Sequence, residues 1–151
     1  MRPTRITVLV ALALGAGALG YALTAAFYAD VQSPPVYAPL WLLMLALAEG
    51  FTASMTHGRL AGRPGTKPIN AIAVSRLAVL AKATSPVGAL AFGGYTGFLV
   101  YVARTDSASA DRDVRTAALG MACSLLLVIA ALLLERVCRV KPPKDDDHPD
   151  I

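Results

Sequence analysis

A carboxylate inside an apolar stretch is the first residue that invites a chemical reading. Glu49 is the sole acidic residue in Val31–Gly58, and a charged group within a hydrocarbon layer is costly enough to mark a paired or functional position. At helical spacing it shares a stripe with Thr52, Ala53, Thr56 and His57, a small and polar face suited to look into a helix bundle. Beyond a basic loop, Ser75, Ala78, Lys82, Ser85 and Ala89 recur on one helical face. Lys82 is therefore the expected ion-pair partner of Glu49, with Arg76 the alternative cation one to two turns nearer the cytosol. The competing expectation is that both cations snorkel to the headgroups while Glu49, placed roughly 10 Å from the cytoplasmic surface by helical rise, is hydrated or protonated. Glu49, Lys82, Arg76, His57 and Ser85 form the candidate intramembrane polar site. An enzyme would need a convergent acid, base or nucleophile set. Only Glu49, His57, Lys82 and Ser85 could gather at the inner side, and a pair or a snorkel explains them equally well. The expectation is a protein without enzyme chemistry, with no catalytic residue, cofactor or metal ligand.

The loop from His57 to Ile69 carries Arg59, Arg63 and Lys67 among Gly and Pro. It lacks the GxxxxGK[ST] pattern and follows no strand, so a nucleotide-phosphate loop is excluded. Three cations ahead of Asn70 as a helix N-cap suit a phosphate or an anionic lipid headgroup, and they serve equally as a topology signal in nonspecific contact with anionic lipid. No aromatic residues are interleaved with them as a nucleic-acid stacking platform requires, so nucleic acid is not an expected partner. The lipid bilayer is. The tail Asp145–His148 would hold a divalent ion only loosely, having no preorganised cage. Cys123 and Cys138 lie roughly 22 Å apart at helical rise, too far for a disulfide; they read as two reduced thiols, one buried and one at the inner surface.

These residues need elements to hold them. The composition, 56% hydrophobic against 16% charged, departs from the roughly 45–50% apolar and 25% charged of soluble domains. Ile6–Ala29 and Ala83–Ala103 carry no Lys, Arg, Asp or Glu, and neither does Thr116–Leu134. Each is about the 20 residues that cross a bilayer as a helix. The pattern predicts an all-α polytopic membrane protein with four transmembrane helices near Arg5–Ala29, Val36–Thr56, Asn70–Val102 and Val114–Val140. Residues 1–140 would form the membrane domain and 141–151 a disordered cytoplasmic tail. The third helix, some 30 residues or nearly 50 Å long, exceeds a hydrocarbon core of about 30 Å, and Pro86 predicts a kink within it.

Lys and Arg set the orientation. Arg2 and Arg5, then Arg59, Arg63 and Lys67, then Arg136, Arg139, Lys141 and Lys144 mark three cytoplasmic segments. On the other side Arg104, Arg112 and Arg115 are diluted by Asp106, Asp111 and Asp113. Both termini are predicted inside, in the plasma (inner) membrane, with Tyr28, Tyr37 and Trp41 as an aromatic belt at the opposite face. A signal peptide is the competing reading of the N-terminus, but its apolar run exceeds the 7–15 residues typical of a signal core. Ala89, Gly93 and Gly97 recur every four residues as a seam of small side chains for close helix approach, and Ala11/Gly15 and Ala13/Gly17 repeat the theme. Such seams are expected to join helices within the chain, with homodimerisation the alternative.

The stretch GRPGTKPINAIAVSRLAVLAKATSPVGALAFGGYTGFLVYV, with LLLERVCRVKPP at the end of the last helix, resembles a family of small actinobacterial four-helix membrane proteins, domain of unknown function 3180. The resemblance covers nearly the whole chain and is most specific from Gly62 to Lys82. It implies an integral inner-membrane protein without assigned activity; the family's recurrent Arg and Lys correspond to Arg76 and Lys82, and its Glu-Arg-x-Cys-Arg stretch to Glu135, Arg136, Cys138 and Arg139. Members of the family it resembles are often encoded beside folate-biosynthesis genes, which implies a pathway association and no chemistry. Two functions remain. The first is a non-enzymatic accessory or scaffold protein that engages a membrane-protein partner. The alternative is a small oligomeric transporter using Glu49 as an intramembrane proton or cation site, similar to the four-helix multidrug exporters with one buried glutamate. Here the glutamate is on the second helix rather than the first, and the Lys/Arg asymmetry opposes dual insertion.

Overall fold

Long runs without charge, alternation or turn residues leave the backbone one way to satisfy its N–H and C=O groups in lipid, and each run folds as a single helix. The structure, a computed structural model, describes residues 5–28, 35, 37–60, 71–105 and 110–138. It contains α1 (Ile6–Phe27), α2 (Ala38–Leu60), α3 (Ala71–Val102) and α4 (Ala110–Val137), with no strand among the described residues. All four are long and apolar enough to cross a membrane. The expected all-α, four-span architecture is thus present. The tail 141–151 and the loop residues Arg63 and Lys67 lie outside the described residues.

Two boundaries moved for physical reasons. α4 begins at Ala110 rather than Val114, because Asp111 and Asp113 occupy its first turn, where carboxylates stabilise the exposed N–H groups and the positive end of the helix dipole. What the charge pattern marked as a connection is partly helix. α2 continues past Thr56 to Leu60 through Gly58, at a cost of about 1 kcal/mol for one helical glycine. α3 runs 32 residues without interruption through Pro86.

The helices form a row rather than a closed square. Among the described residues, α3 packs along α1 on one side and α4 on the other, and α4 in turn packs along α2. α4 is central, with 44% of its span buried against 6% for α1. α1 and α3 run parallel, since Gly17 meets Gly93 and Gly97 meets Gly17 and Tyr21. α3 and α4 run antiparallel, with Gly88 under Val128 and Gly120 under the Tyr95 ring.

Lipid tails are as apolar as leucine, so these contacts depend on close van der Waals fit rather than expulsion of water. The small-residue seam supplies that fit. A methyl on Gly93 would run into the Ala13 carbonyl oxygen and lie 2.9 Å from the Ala16 Cβ. One on Gly97 would run into the Gly17 carbonyl oxygen and lie 2.7 Å from the Tyr21 nitrogen. Gly93 and Gly97 of the expected seam therefore join helices within the chain, using the Ala13/Gly17 register of α1, while Ala89, one turn along, is buried. Gly15 has open space around it, so the Ala11/Gly15 register is not used.

At the other end of the row, Ala53 of α2, Val74 and Ala81 of α3, and Leu134 and Cys138 just at the end of α4 form one buried cluster, with Leu77 and Ala78 packed on it. Cys138 was expected at the inner surface and is instead buried, as is Cys123; both are free thiols. Burial pushes the Cys138 thiol up, since the thiolate loses its hydration there. Helical hydroxyls turn onto their own backbone: Thr24 to the Gly20 carbonyl, Thr52 to Ala48 and Thr96 to Phe92, each at 2.7 Å. That arrangement hides a polar group from lipid without a partner helix.

Candidate functional site

Glu49 lies eleven residues from either end of α2, about 16 Å along the axis from each. It is therefore at mid-span, deeper than the sequence estimate, because α2 extends a turn beyond Thr56. Ala46, Glu49, Ala53 and Thr56 are buried at helical spacing on one face. Of the stripe expected around it, Ala53 and Thr56 turn inward, Thr52 is half-buried and His57 is exposed.

Across the gap, α3 buries Ala81, Thr84, Ser85 and Ala89. Lys82 and Arg76 lie on its exposed side, as does Ser75. Thr84 is the α3 side chain whose hydroxyl lies close enough to the Glu49 carboxylate to hydrogen-bond to it on rotation. Its hydroxyl, however, points to the carbonyls of Leu80 and Ala81 at 3.1 and 3.2 Å. Neither Glu49 Oε1 nor Oε2 has a hydrogen bond, and Ser85 Oγ has none either. The expected partner of Glu49 in an ion pair, Lys82, makes no hydrogen bond to it: the buried face of α3 carries Thr84 and Ser85, and Lys82 lies on the exposed side. Of the candidate polar site, the fold brings Glu49 and Ser85 to one buried level and leaves Lys82, Arg76 and His57 at the periphery.

Exposure decides the weight of this site. Glu49 is 2% exposed and Ser85 0%, whereas buried polar atoms in folded proteins are nearly always paired, and the exceptions call for a specific explanation. An unsatisfied polar group in hydrocarbon costs several kcal/mol. The level is set by the cluster beneath it. Ala53 packs with Ala81 and Leu134, so one turn along, Glu49 is level with Ser85 on α3 and with Ala130 and Ala131 on α4, both buried.

A second polar site, at the opposite end of the row, was not foreseen. Tyr28 donates its phenolic O–H to Asp113 Oδ2 at 2.9 Å, and Asp113 is 1% exposed. The Tyr28 ring packs on Tyr101 and Phe98 at centroid distances of 5.3 and 6.4 Å, and Tyr21 meets Tyr101 edge-on at 5.9 Å. Tyr28 therefore leaves the expected aromatic belt for an internal cluster, while Tyr37 and Trp41 stay exposed as that belt requires. The charge pattern sets Asp113 in a connection; its place in the first turn of α4 is what carries it inward. The signal that could have exposed it is the pair Asp111/Asp113 preceding a long apolar run, a helix-start pattern.

The family model described as a protein of unknown function (DUF3180) matches residues 9–142. The chain belongs to this family. No curated protein and no solved structure matches it. The DUF3180 match begins at Leu9, the buried residue of α1, and runs through all four helices, so it takes in both the Glu49–Ser85 level and the Tyr28–Asp113 contact.

In this DUF3180 chain the two sites have different chemical capacity. Tyr28 and Asp113 form a satisfied contact that ties the end of α1 to α4. Glu49 and Ser85 contribute three buried oxygens without a hydrogen bond, two of them carboxylate acceptors and the third a hydroxyl that can accept or donate. Among the described residues no trio of His, Cys, Asp and Glu gathers as a metal cage. Arg59 lies in the last turn of α2, its side chain outside the description together with Arg63 and Lys67, so the headgroup site falls there as well.

Proposed function

We propose that this DUF3180 protein is a non-enzymatic accessory or scaffold protein of the plasma membrane, with both termini cytoplasmic, that engages a membrane-protein partner through its flanks. The open row carries this reading: α1 and α2 end the row, α1 packed along α3 and α2 mainly along α4, and α1 buries only Leu9. Their outward faces, with Leu14, Leu19, Met44 and Phe51 exposed, are long enough to receive another protein's helix as well as lipid. Connections of ten residues or fewer between the helices support an interacting surface inside the bilayer. The basic residues Arg59, Arg63 and Lys67 support the orientation and contact anionic headgroups, each contributing about 1 kcal/mol near a charged leaflet. Crosslinking in the native membrane followed by mass spectrometry tests it. Reproducible heterologous crosslinks from α1 or α2 are the expected result; self-crosslinks alone would overturn it.

One observation favours a second reading, a small oligomeric transporter centred on Glu49: both of its oxygens are buried without a hydrogen bond. Proton-coupled flux in reconstituted vesicles, abolished by Glu49→Gln, is the outcome this reading requires. A sealed vesicle with no such flux rules it out.

A further inference from the structure

We infer that Glu49 and Ser85 supply the oxygens of an intramembrane site for one small monovalent cation, a proton or a sodium-sized metal ion. The inference deepens the second reading above by naming the ligand and its contacts, and it does not require that the ion be carried across.

The chemistry of the site selects the ligand. Glu49 Oε1 and Oε2 and Ser85 Oγ are buried and have no hydrogen bond, and the Thr84 hydroxyl beside them directs its hydrogen to the Leu80 and Ala81 carbonyls. Among the described residues Thr84 is thus the one neighbouring hydroxyl within reach of the carboxylate, and in this rotamer its hydrogen is held by its own helix. An anion or a carbonyl ligand would meet the Glu49 carboxylate with a single donor, the Ser85 hydroxyl, to set against it. A cation would satisfy every open oxygen at once and offset the negative charge that hydrocarbon penalises.

The surroundings add little competing charge. α4 presents buried Leu127, Ala130 and Ala131 at this level, with Ser124 closer to the Tyr28 end and bonded to the Gly120 carbonyl at 2.7 Å. Glu135 and Cys138 of α4 lie a turn or more toward the opposite end, beside the Ala53 cluster. On α3, Lys82 and Arg76 are on the exposed side and make no hydrogen bond to Glu49. His57, two turns along α2, is exposed. A single charge is what the lone carboxylate can neutralise, so a divalent ion, which takes six or more oxygens with several carboxylates, fits poorly.

Dicyclohexylcarbodiimide labelling of the purified full chain in detergent, read by mass spectrometry of the Glu49 peptide, tests the site, because this apolar reagent attaches to a carboxyl in its protonated form. The expected result is labelling at Glu49 that falls as pH rises. If added sodium chloride, against choline chloride at fixed pH, also suppresses it, the metal ion is an occupant; if only pH does, the proton is. Glu49→Gln should abolish the label, and Glu49→Asp, which keeps the carboxyl, should retain it with the same elution profile. Ser85→Ala should shift the pH or sodium midpoint by about tenfold, the size of one hydrogen bond to a charged group. No label at any pH, or a label that responds to neither pH nor sodium, overturns the site. An unchanged midpoint in Ser85→Ala overturns the assignment of Ser85. Labelling needs no gradient, so a responsive label without vesicle flux would sink the transport reading and leave this one standing.

Discussion

The phenol of Tyr28, one residue beyond α1, reaches Asp113 in the first turn of α4 at 2.9 Å. Among the described residues α1 and α4 do not pack along each other, so this contact ties together two elements that each pack along α3. Tyr28→Phe keeps the ring packing on Tyr101 and removes the hydrogen bond to a buried carboxylate, a loss of about 1.5–3 kcal/mol. Thermal unfolding in detergent should show that loss, while Tyr37→Phe on the exposed belt should leave the transition unmoved.

Substitution along the small-residue seam should separate by register. Gly93→Val places methyls against the Ala13 carbonyl and the Ala16 Cβ, an overpacking that costs at least about 1–3 kcal/mol. Gly15→Val meets open space and should be tolerated. Folded yield after size-exclusion chromatography compares the two directly, and equal yields would contradict the α1–α3 contact.

The charge-swapped protein, Glu49→Lys with Lys82→Glu, should fold no better than the worse of its single variants. Glu49 is buried beside Thr84, whereas the side chain of Lys82 is exposed. Recovery of abundance in the double variant would show that the two residues do meet.

Cys138 should alkylate slowly. It is buried against Ala53, Val74 and Ala81, and its thiol titrates above the ordinary range. The thiolate is the reactive form, so the fraction available falls as pH drops below that raised value and grows only toward alkaline pH. Iodoacetamide kinetics should show a slower rate and a more alkaline midpoint than for a cysteine introduced at the exposed Trp41 position. Equal rates would mean that the cluster opens freely.

For orientation, cysteines introduced in a Cys123→Ser, Cys138→Ser background report directly. A membrane-impermeant maleimide added to intact cells should label position 37 and not position 57. The reverse pattern would invert the proposed topology.

Much of this fold was legible because lipid leaves few choices. Charge-free runs in α1 and α4 fixed spans to within a turn, and the four-residue rhythm of Ala89, Gly93 and Gly97 pointed to the seam that α1 fills. Failures came where one residue type admits two environments. Asp113 read as a loop charge until the start of α4 placed it in a helical turn, and Tyr28 read as a headgroup aromatic until that turn gave it an acceptor. Glu49 was found by type alone, but its partner was not. Lys82 and Ser85 are one turn apart on α3, and periodicity cannot resolve the rotation of roughly 60° that turns Ser85 inward and Lys82 outward.

The order of the row has a consequence for assembly. A chain is made and inserted from its N-terminus, so α1 and α3 can dock as soon as α3 arrives, but the helix along which α2 packs is the last to be synthesised. Until α4 enters the bilayer, the Glu49 face of α2 lacks most of the wall that later encloses it. During that interval a carboxylate stands in the membrane against lipid, water or the insertion machinery. The wait for α4 is thus the stage of biogenesis at which this chain is most open to capture by another membrane protein.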